Sequence, residues 1–272
     1  MILQLRQPDF PLNKYVELFT YYEARSEQHS IERLLPDGSV NLLIDLTTTP
    51  KYLFDPVTFE EKQKCERAWV SGMHSQFICI SAAKEACMLV IRFRPGGSYP
   101  FLQVPLNELN DRVIDAEVLF GEKILFLREQ LALTSSIREK FILTENWLLS
   151  VANFNQPIEA IISFAVARIT QSPTLLSLED IAAKSGYSQK QFIHIFKTHL
   201  GQTPKVYQRI TRFNRVLQEI EKTQSVHWTR LCLDLGYYDQ AHFIREFQEF
   251  AGFNPKDFLK QRGEYIHYVP VR

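Results

Sequence analysis

Glycine and cysteine are scarce in this chain, with ten and four among 272 residues. Cysteines 65, 79, 87 and 232 form no CxxC pair, and their separations of 14, 8 and 145 suit neither a zinc site nor a disulfide framework. They read as buried or incidental thiols. Histidine is sparse too: only His29 and His74 precede position 190, too few for a metal-dependent enzyme built on neighbouring strands. A repair protein of the cysteine-transferring kind would need a cysteine cluster, which is absent. There is no GxSxG elbow, Walker-type loop or GxGxxG, and Gly96-Gly97 reads as a turn. The expectation is a protein that is not an enzyme and uses no cofactor or metal. No apolar run approaches the roughly 18 residues that span a bilayer. Met1 to Pro11 lacks the basic region and apolar core of a secretory signal, so a cytoplasmic chain with no membrane partner is expected. Finally, no charge excess is visible: 31 basic and 31 acidic side chains sum to zero, which taken over the whole chain argues against nucleic acid.

Splitting the chain changes what that zero means. Residues 1–171 carry 17 basic and 21 acidic side chains, giving −4, whereas residues 172–272 carry 14 and 10, giving +4. Five of the seven histidines lie in the second part. Two domains of opposite sign have averaged out. A sum of +4 is modest, so non-specific DNA binding should be weak and salt-sensitive, with base contacts needed for useful affinity.

From Tyr15 to about Pro105 the pattern suits strands. Ser39–Leu46, Ala68–Val70, Gln76–Ile80 and Met88–Phe93 are short and rich in β-branched and aromatic residues. Turn signals bound them, among them Pro36-Asp37-Gly38 and Pro95-Gly96-Gly97. A small sheet or barrel is expected. After Pro105 the period lengthens. Ile124, Leu127 and Leu131 mark a short helix, and Leu133–Ser136 a turn. Ile137, Phe141, Leu148 and Val151 then place an apolar stripe on a helix of about four turns. This hairpin either packs on the sheet or offers its stripe to a second subunit. Asn153–Pro157 reads as a junction, with Pro157 opening a helix that runs to about Thr170. The expected fold is α+β: a β-rich domain with a helical hairpin over 1–152, then an all-α domain over 156–262.

The last third repeats itself. Phe192 and Phe243, Phe196 and Phe247, Gly201 and Gly252, and Pro204 and Pro255 are each 51 residues apart. Ile181 and Leu231, Ala182 and Cys232, and Gly186 and Gly236 are each 50 apart, so the second turn holds one extra residue. Each unit describes two helices joined by a tight bend. Ser177 can cap the first helix, and Ile181 and Ala182 face inward. Gly186 permits a left-handed turn. Ser188 with Gln191 matches a capping box, and Phe192 and Phe196 share the buried face of the second helix. A small residue four positions before the glycine lets the helices cross closely, which is the packing need of a helix-turn-helix.

On these residues the segment Leu178–Phe258 resembles the DNA-binding domain of AraC-type transcription regulators. The matching runs are Ile181-Ala-Ala-Lys-Ser-Gly-Tyr-Ser188, Phe196-Lys-Thr-His-Leu-Gly201, Pro204-Lys-Val-Tyr207, and Leu235-Gly-Tyr-Tyr-Asp-Gln-Ala-His-Phe243 onward to Gly252-Phe-Asn-Pro255. Cys232 stands where the family usually has alanine. Leu35-Pro-Asp-Gly-Ser-Val-Asn-Leu-Leu43, Trp69-Val-Ser-Gly-Met-His74 and Arg92-Phe-Arg-Pro-Gly-Gly97, with Phe101 and Pro105, resemble the leading domain of a subgroup of these regulators. That resemblance implies a cupin-like sensor. The implied partners are double-stranded DNA and RNA polymerase, with a small-molecule effector and a homodimer through the N-terminal domain as further expectations. An enzyme or a pure docking module in residues 1–152 is the alternative.

The spacing fits DNA. A helix of 19 residues, about Pro204 to Lys222, spans roughly 28 Å. That length can set two recognition helices about one turn apart, roughly 34 Å, in adjacent major grooves. With the phenylalanines inward, Gln189, Lys190, Ile193, His194 and Lys197 point outward on one helix, and Gln240, His242, Ile244, Arg245 and Gln248 on the other. An arginine can contact guanine bidentately, a glutamine adenine, and an isoleucine a thymine methyl. Corresponding positions in the family contact bases, which implies Lys190, Ile193, His194, Gln240, His242 and Arg245 as readers. The alternative keeps Ile193 and Ile244 as core residues and His194 as a solvated surface residue. Phosphate contacts are expected from Ser188, Gln189, Lys197, Lys205, Arg209, Asp239 and Lys256, with Arg212, Lys260 and Arg262 as further candidates and Arg212 also suited to pairing with a carboxylate inside the domain. In the first domain Arg92 and Arg94 share a strand face and, with His74, either hold an anionic effector or form surface ion pairs.

Overall fold

In a computed structural model of the chain, the structure describes residues 1–25, 31–82, 85–155, 160–171, 178–184, 186–222 and 227–271. The strands come first: β1 (Ile2–Arg6), β2 (Val16–Arg25), β3 (Ile31–Leu34), β4 (Asn41–Asp45), β5 (Lys51–Phe54), β6 (Glu61–Cys65), β7 (Ala68–Ser71), β8 (Ile78–Ser81) and β9 (Glu85–Phe93). They are followed by α1 (Tyr99–Leu102), a 3-10 turn (Leu106–Glu108), β10 (Val113–Asp115), α2 (Glu117–Phe120), α3 (Glu122–Leu133) and α4 (Ile137–Val151). The second half holds α5 (Ala160–Gln171), α6 (Leu178–Lys184), α7 (Gln189–Leu200), α8 (Pro204–Lys222), α9 (Trp228–Asp234), α10 (Gln240–Ala251) and α11 (Pro255–Gln261), and the chain closes in β11 (Tyr268–Val271).

The strands make two sheets, ordered β1-β2-β9-β4-β7-β10 and β11-β3-β8-β5-β6. The expected strands all appear, with ends shifted by a few residues. Alternation explains their faces: Leu89, Ile91 and Phe93 on β9 and Leu42 and Ile44 on β4 are buried, at period two. The helical hairpin packs on this surface, with Phe19 of β2 stacked on Phe141 of α4 at 6.2 Å. Ile124, Leu127, Leu131, Phe141 and Leu148 are buried between them, and Ser136 caps α4 by accepting from the Glu139 N–H. The stripe of Ile137, Phe141, Leu148 and Val151 is therefore spent on the core. Outside that stripe the hairpin leaves Phe126, Leu133, Ile142 and Leu149 exposed. The start of the fifth helix at Pro157 and the cap at Ser177 lie outside the described residues, as does His29.

Beyond residue 262, where sequence reasoning ends the second domain, the chain returns to the first. β11 pairs antiparallel with β3, Tyr268 opposite Leu34 and Val271 opposite Ile31, and buries Val269 completely. The turn at Pro36–Gly38 lies beneath α8: Asn214 Nδ2 donates to Pro36 O at 3.1 Å, and His267 Nε2 sits 2.7 Å from Asn214 Oδ1. Most of the buried apolar side chains accordingly belong to one core that runs from Leu12 to Val269, with a smaller cluster of Cys65, Trp69 and Val113 apart from it.

Candidate nucleic-acid interface

Each repeated unit folds as two short helices around a left-handed glycine, Gly186 at φ +74° and Gly236 at φ +69°. In the first unit, Ser188 Oγ accepts the Gln191 N–H while Gln191 Oε1 accepts the Ser188 N–H, so two otherwise unpaired donors are satisfied. In the second, Asp239 Oδ1 accepts the His242 N–H at 2.6 Å. Ile181 and Ala182 of α6 are buried against Phe192 and Phe196, and Cys232 takes the place of Ala182 in the second unit, also buried. The extra residue of the second turn sends Tyr237 inward, edge-on to Phe243 at 5.1 Å, and leaves Tyr238 exposed. Between the units, α8 runs for 19 residues and buries one stripe: Tyr207, Ile210, Phe213, Val216, Leu217 and Ile220.

The outward faces of α7 and α10 correspond position by position. Gln189 and Gln240, and His194 and Arg245, are exposed pairs 51 residues apart, and Lys190 and Gln248 are exposed beside them. Ile193, Ile244 and Lys197 are half-buried, and Ile244 packs against the core. His242 lies partly inward, its ring edge-on to Tyr237 at 5.5 Å and its Nε2 4.0 Å from Glu246. Lys205 and Lys256 are exposed cations near the two units.

Other expected contacts have different work. Arg209 Nε donates to Glu246 Oε2 at 2.8 Å and its Nη2 to Glu249 at 2.6 Å; Arg212 grips both oxygens of Glu246 and stacks on Tyr237 at 4.2 Å. These arginines fasten α8 to α10, so their charge is already spent on carboxylates. Asp239 fills its helix start with its own carboxylate. Glu246 itself, 3% exposed, escaped the sequence reading. The signal was present: an acid between Phe243 and Phe247 on an inward face needs a cation across from it.

The first domain brings Arg92, Arg94 and His74 to no common open site. Arg92 is held by Glu17 at 3.0 Å and Asp37 at 2.6 Å, the ion-pair alternative. Burial would raise the Asp37 carboxyl, but Arg92, His267 and the Ser39 donors outweigh it and keep it below the usual carboxylate range. Arg94 Nε donates to Asn13 O, and His74 Nε2 lies 3.0 Å from Ser71 Oγ, with burial pushing its imidazole down. Two open clefts of about 350 and 390 Å³ lie elsewhere, one between α1 and the helical hairpin, the other around Thr47–Pro50 and Arg128. Among the described residues no group of three or more His, Cys, Asp or Glu side chains is placed to hold a metal, and no helix is long and apolar enough to cross a membrane.

Comparison with known proteins finds matches to two separate stretches of the chain. Residues 4–115 match a domain of unknown function (DUF6597), and residues 165–261 match a helix-turn-helix domain. The chain is 30% identical over 99 residues to the bifunctional transcriptional activator/DNA repair enzyme Ada of Escherichia coli (strain K12), a stretch covering 36% of this chain and 27% of Ada. Among solved structures, ToxT from Vibrio cholerae aligns over 89% of this chain and 98% of its own, at 11% identity and a TM-score of 0.48. The C-terminal domain of AraT, a response regulator from Geobacillus stearothermophilus, covers 40% of this chain and 93% of that domain, at 20% identity and a TM-score of 0.36. Residues 165–261 are thus an AraC-type helix-turn-helix DNA-binding domain, carried behind a β-rich domain whose family has no assigned function.

Proposed function

We propose that the chain is a sequence-specific transcription regulator that lays α7 and α10 in two successive major grooves on one face of the duplex. The observation that carries this reading is the double unit: two capped, outward-facing helices with matching exposed positions, joined by a 19-residue helix. At about 1.5 Å per residue that helix spans roughly 28 Å, a length suited to a pitch of about 34 Å. Lys190, His194, Gln240 and Arg245 read base edges, with Ile193 and His242 closer to the domain surface. Lys197, Lys205, Lys256 and the N-terminus of α7 at Ser188-Gln189 meet phosphates, whereas the start of α10 is already taken by the Asp239 carboxylate. Arg209 and Arg212 shape the reader from behind.

The N-terminal domain is assigned a regulatory role, with a small molecule or a partner protein acting on it and RNA polymerase engaged by the DNA-bound form. Arg92 is committed to Glu17 and Asp37, so an anionic effector would bind elsewhere in the domain. Footprinting of the purified chain on genomic fragments tests the reading. Discrete protected sites that vanish with Lys190→Ala/Arg245→Ala are expected; uniform coverage unaffected by that pair would count against it.

A further inference from the structure

Both recognition helices end in a glycine, and the N-terminal domain holds each of those glycines. Gly201 closes α7 at φ +96° and Gly252 closes α10 at φ +71°. Asn110, just after the Leu106–Glu108 turn, donates its Nδ2 to Gly201 O. Arg33 on β3 donates Nη1 to Gly252 O at 3.1 Å, with its guanidinium over the rings of Phe253 at 4.0 Å and Phe77 at 4.8 Å. The last carbonyls of a helix lack intrahelical donors and carry partial negative charge, so an amide and a guanidinium are suited to these places.

Glycine is needed there twice over. The left-handed backbone disfavours a side chain, and the contact leaves no room for one. A Cβ on Gly201 would lie 2.6 Å from Asn110 Oδ1, and one on Gly252 2.8 Å from both Arg33 Nη1 and the Phe77 ring. Gln202 adds a second tie to the first grip, its Nε2 3.3 Å from Asp111 Oδ2. The two grips come from different parts of the N-terminal domain, yet they take the same position in the two repeats, 51 residues apart. Neither covers the outward faces: Gln189, Lys190, His194, Gln240 and Arg245 stay exposed.

We propose that Arg33 and Asn110 are positioning residues for DNA reading: by holding the C-terminal glycine of each recognition helix, the N-terminal domain sets the separation and angle of the two readers. The spacing tolerated between the two DNA subsites is then fixed from outside the DNA-binding domain. Any event that shifts β3 against the segment 106–112 re-angles the readers without touching DNA. This inference rests on the DNA-reading function proposed above.

The test uses the full chain and a duplex selected by it from a random pool. The selected duplex is rebuilt with one base pair added or removed between the subsites, a change of about 3.4 Å and a tenth of a turn. Wild-type protein is expected to lose about tenfold or more on either rebuilt duplex, of the order of one mismatched contact. Arg33→Met and Asn110→Ala are expected to lose less than about threefold. Asn110→Ala should loosen base preference in the subsite read by α7, and Arg33→Met in the one read by α10. Partial unfolding lowers affinity for all duplexes by one factor and leaves these ratios alone. Arg33→Lys, which keeps the charge but not the stacked fork, serves if Arg33→Met does not fold. Ratios unchanged in the variants overturn this proposal while leaving the DNA reading standing; a wild-type chain that enriches no sequence overturns both.

Discussion

Replacing Glu246 by alanine removes the carboxylate of α10 on which both Arg209 and Arg212 of α8 converge. It is 3% exposed and accepts one hydrogen bond from Arg209 and three from Arg212. Breaking a buried pair by deleting one partner costs about 3–5 kcal/mol, because the remaining charge is left uncompensated. The lower end applies here. Arg209 is 28% exposed and keeps Glu249 at 2.6 Å, and Arg212 keeps the Tyr237 ring at 4.2 Å. A loss of about 3 kcal/mol corresponds to roughly 6–12 °C in Tm for a chain of about this size. Urea titration and thermal melting of the full chain measure it, and Glu246→Gln should fall between. Arg212→Met/Glu246→Leu, which swaps the paired charges for apolar volume, should recover most of the loss. A Glu246→Ala variant within about 1 kcal/mol of the parent would refute the assignment, since surface ion pairs contribute no more than that.

Three other outcomes are expected. Arg245→Ala should weaken binding to the selected duplex by about 1–3 kcal/mol and relax preference at one base pair, read by fluorescence anisotropy on single-base variants; a uniform loss across them would make Arg245 a phosphate contact. His74 and His267 have imidazoles pushed down by burial, so the native state resists their protonation. Their stabilising contribution is complete above about pH 6.5 and is lost as pH falls from there through their folded values, so the urea midpoint should drop between pH 6.5 and 5.5, and a flat profile would contradict this. Deleting residues 268–272 removes one of the two strands paired with β3, and with it the buried Val269, which costs about 1.5–3 kcal/mol for the side chain alone. It also bares a strand edge, so concentration-dependent association should appear in light scattering. Unaltered scattering together with an unaltered Tm would show that β11 carries no weight.

Local features were the most legible in the sequence. The Ser188–Gln191 capping box, the extent of α8 and the inward Phe192, Phe196, Phe243 and Phe247 follow from caps and helical period, which involve residues a few positions apart. Repetition at 51 residues made them specific. The strands of the first domain were legible where apolar residues alternate, as in β4 and β9. Long-range partnerships were not. β11 is four residues, Tyr-Val-Pro-Val, and becomes a strand because β3, more than 230 residues earlier, offers it an edge. Arg209 looked like a phosphate ligand because a surface cation on a DNA-binding domain is one by default; its partner Glu246 lies 37 residues away. Nothing local to Arg33 or Asn110 indicates that they reach Gly252 and Gly201.

Methylation interference on the selected duplex tests the central claim most directly, because methyl groups at guanine N7 report major-groove contacts and those at adenine N3 report minor-groove contacts. Two blocks of interference centred about 10 base pairs apart on one face are expected, with Arg245→Ala silencing a guanine in one block and leaving the other intact. A single block, two blocks on opposite faces, or interference confined to the minor groove would contradict a chain that reads DNA with two recognition helices at once.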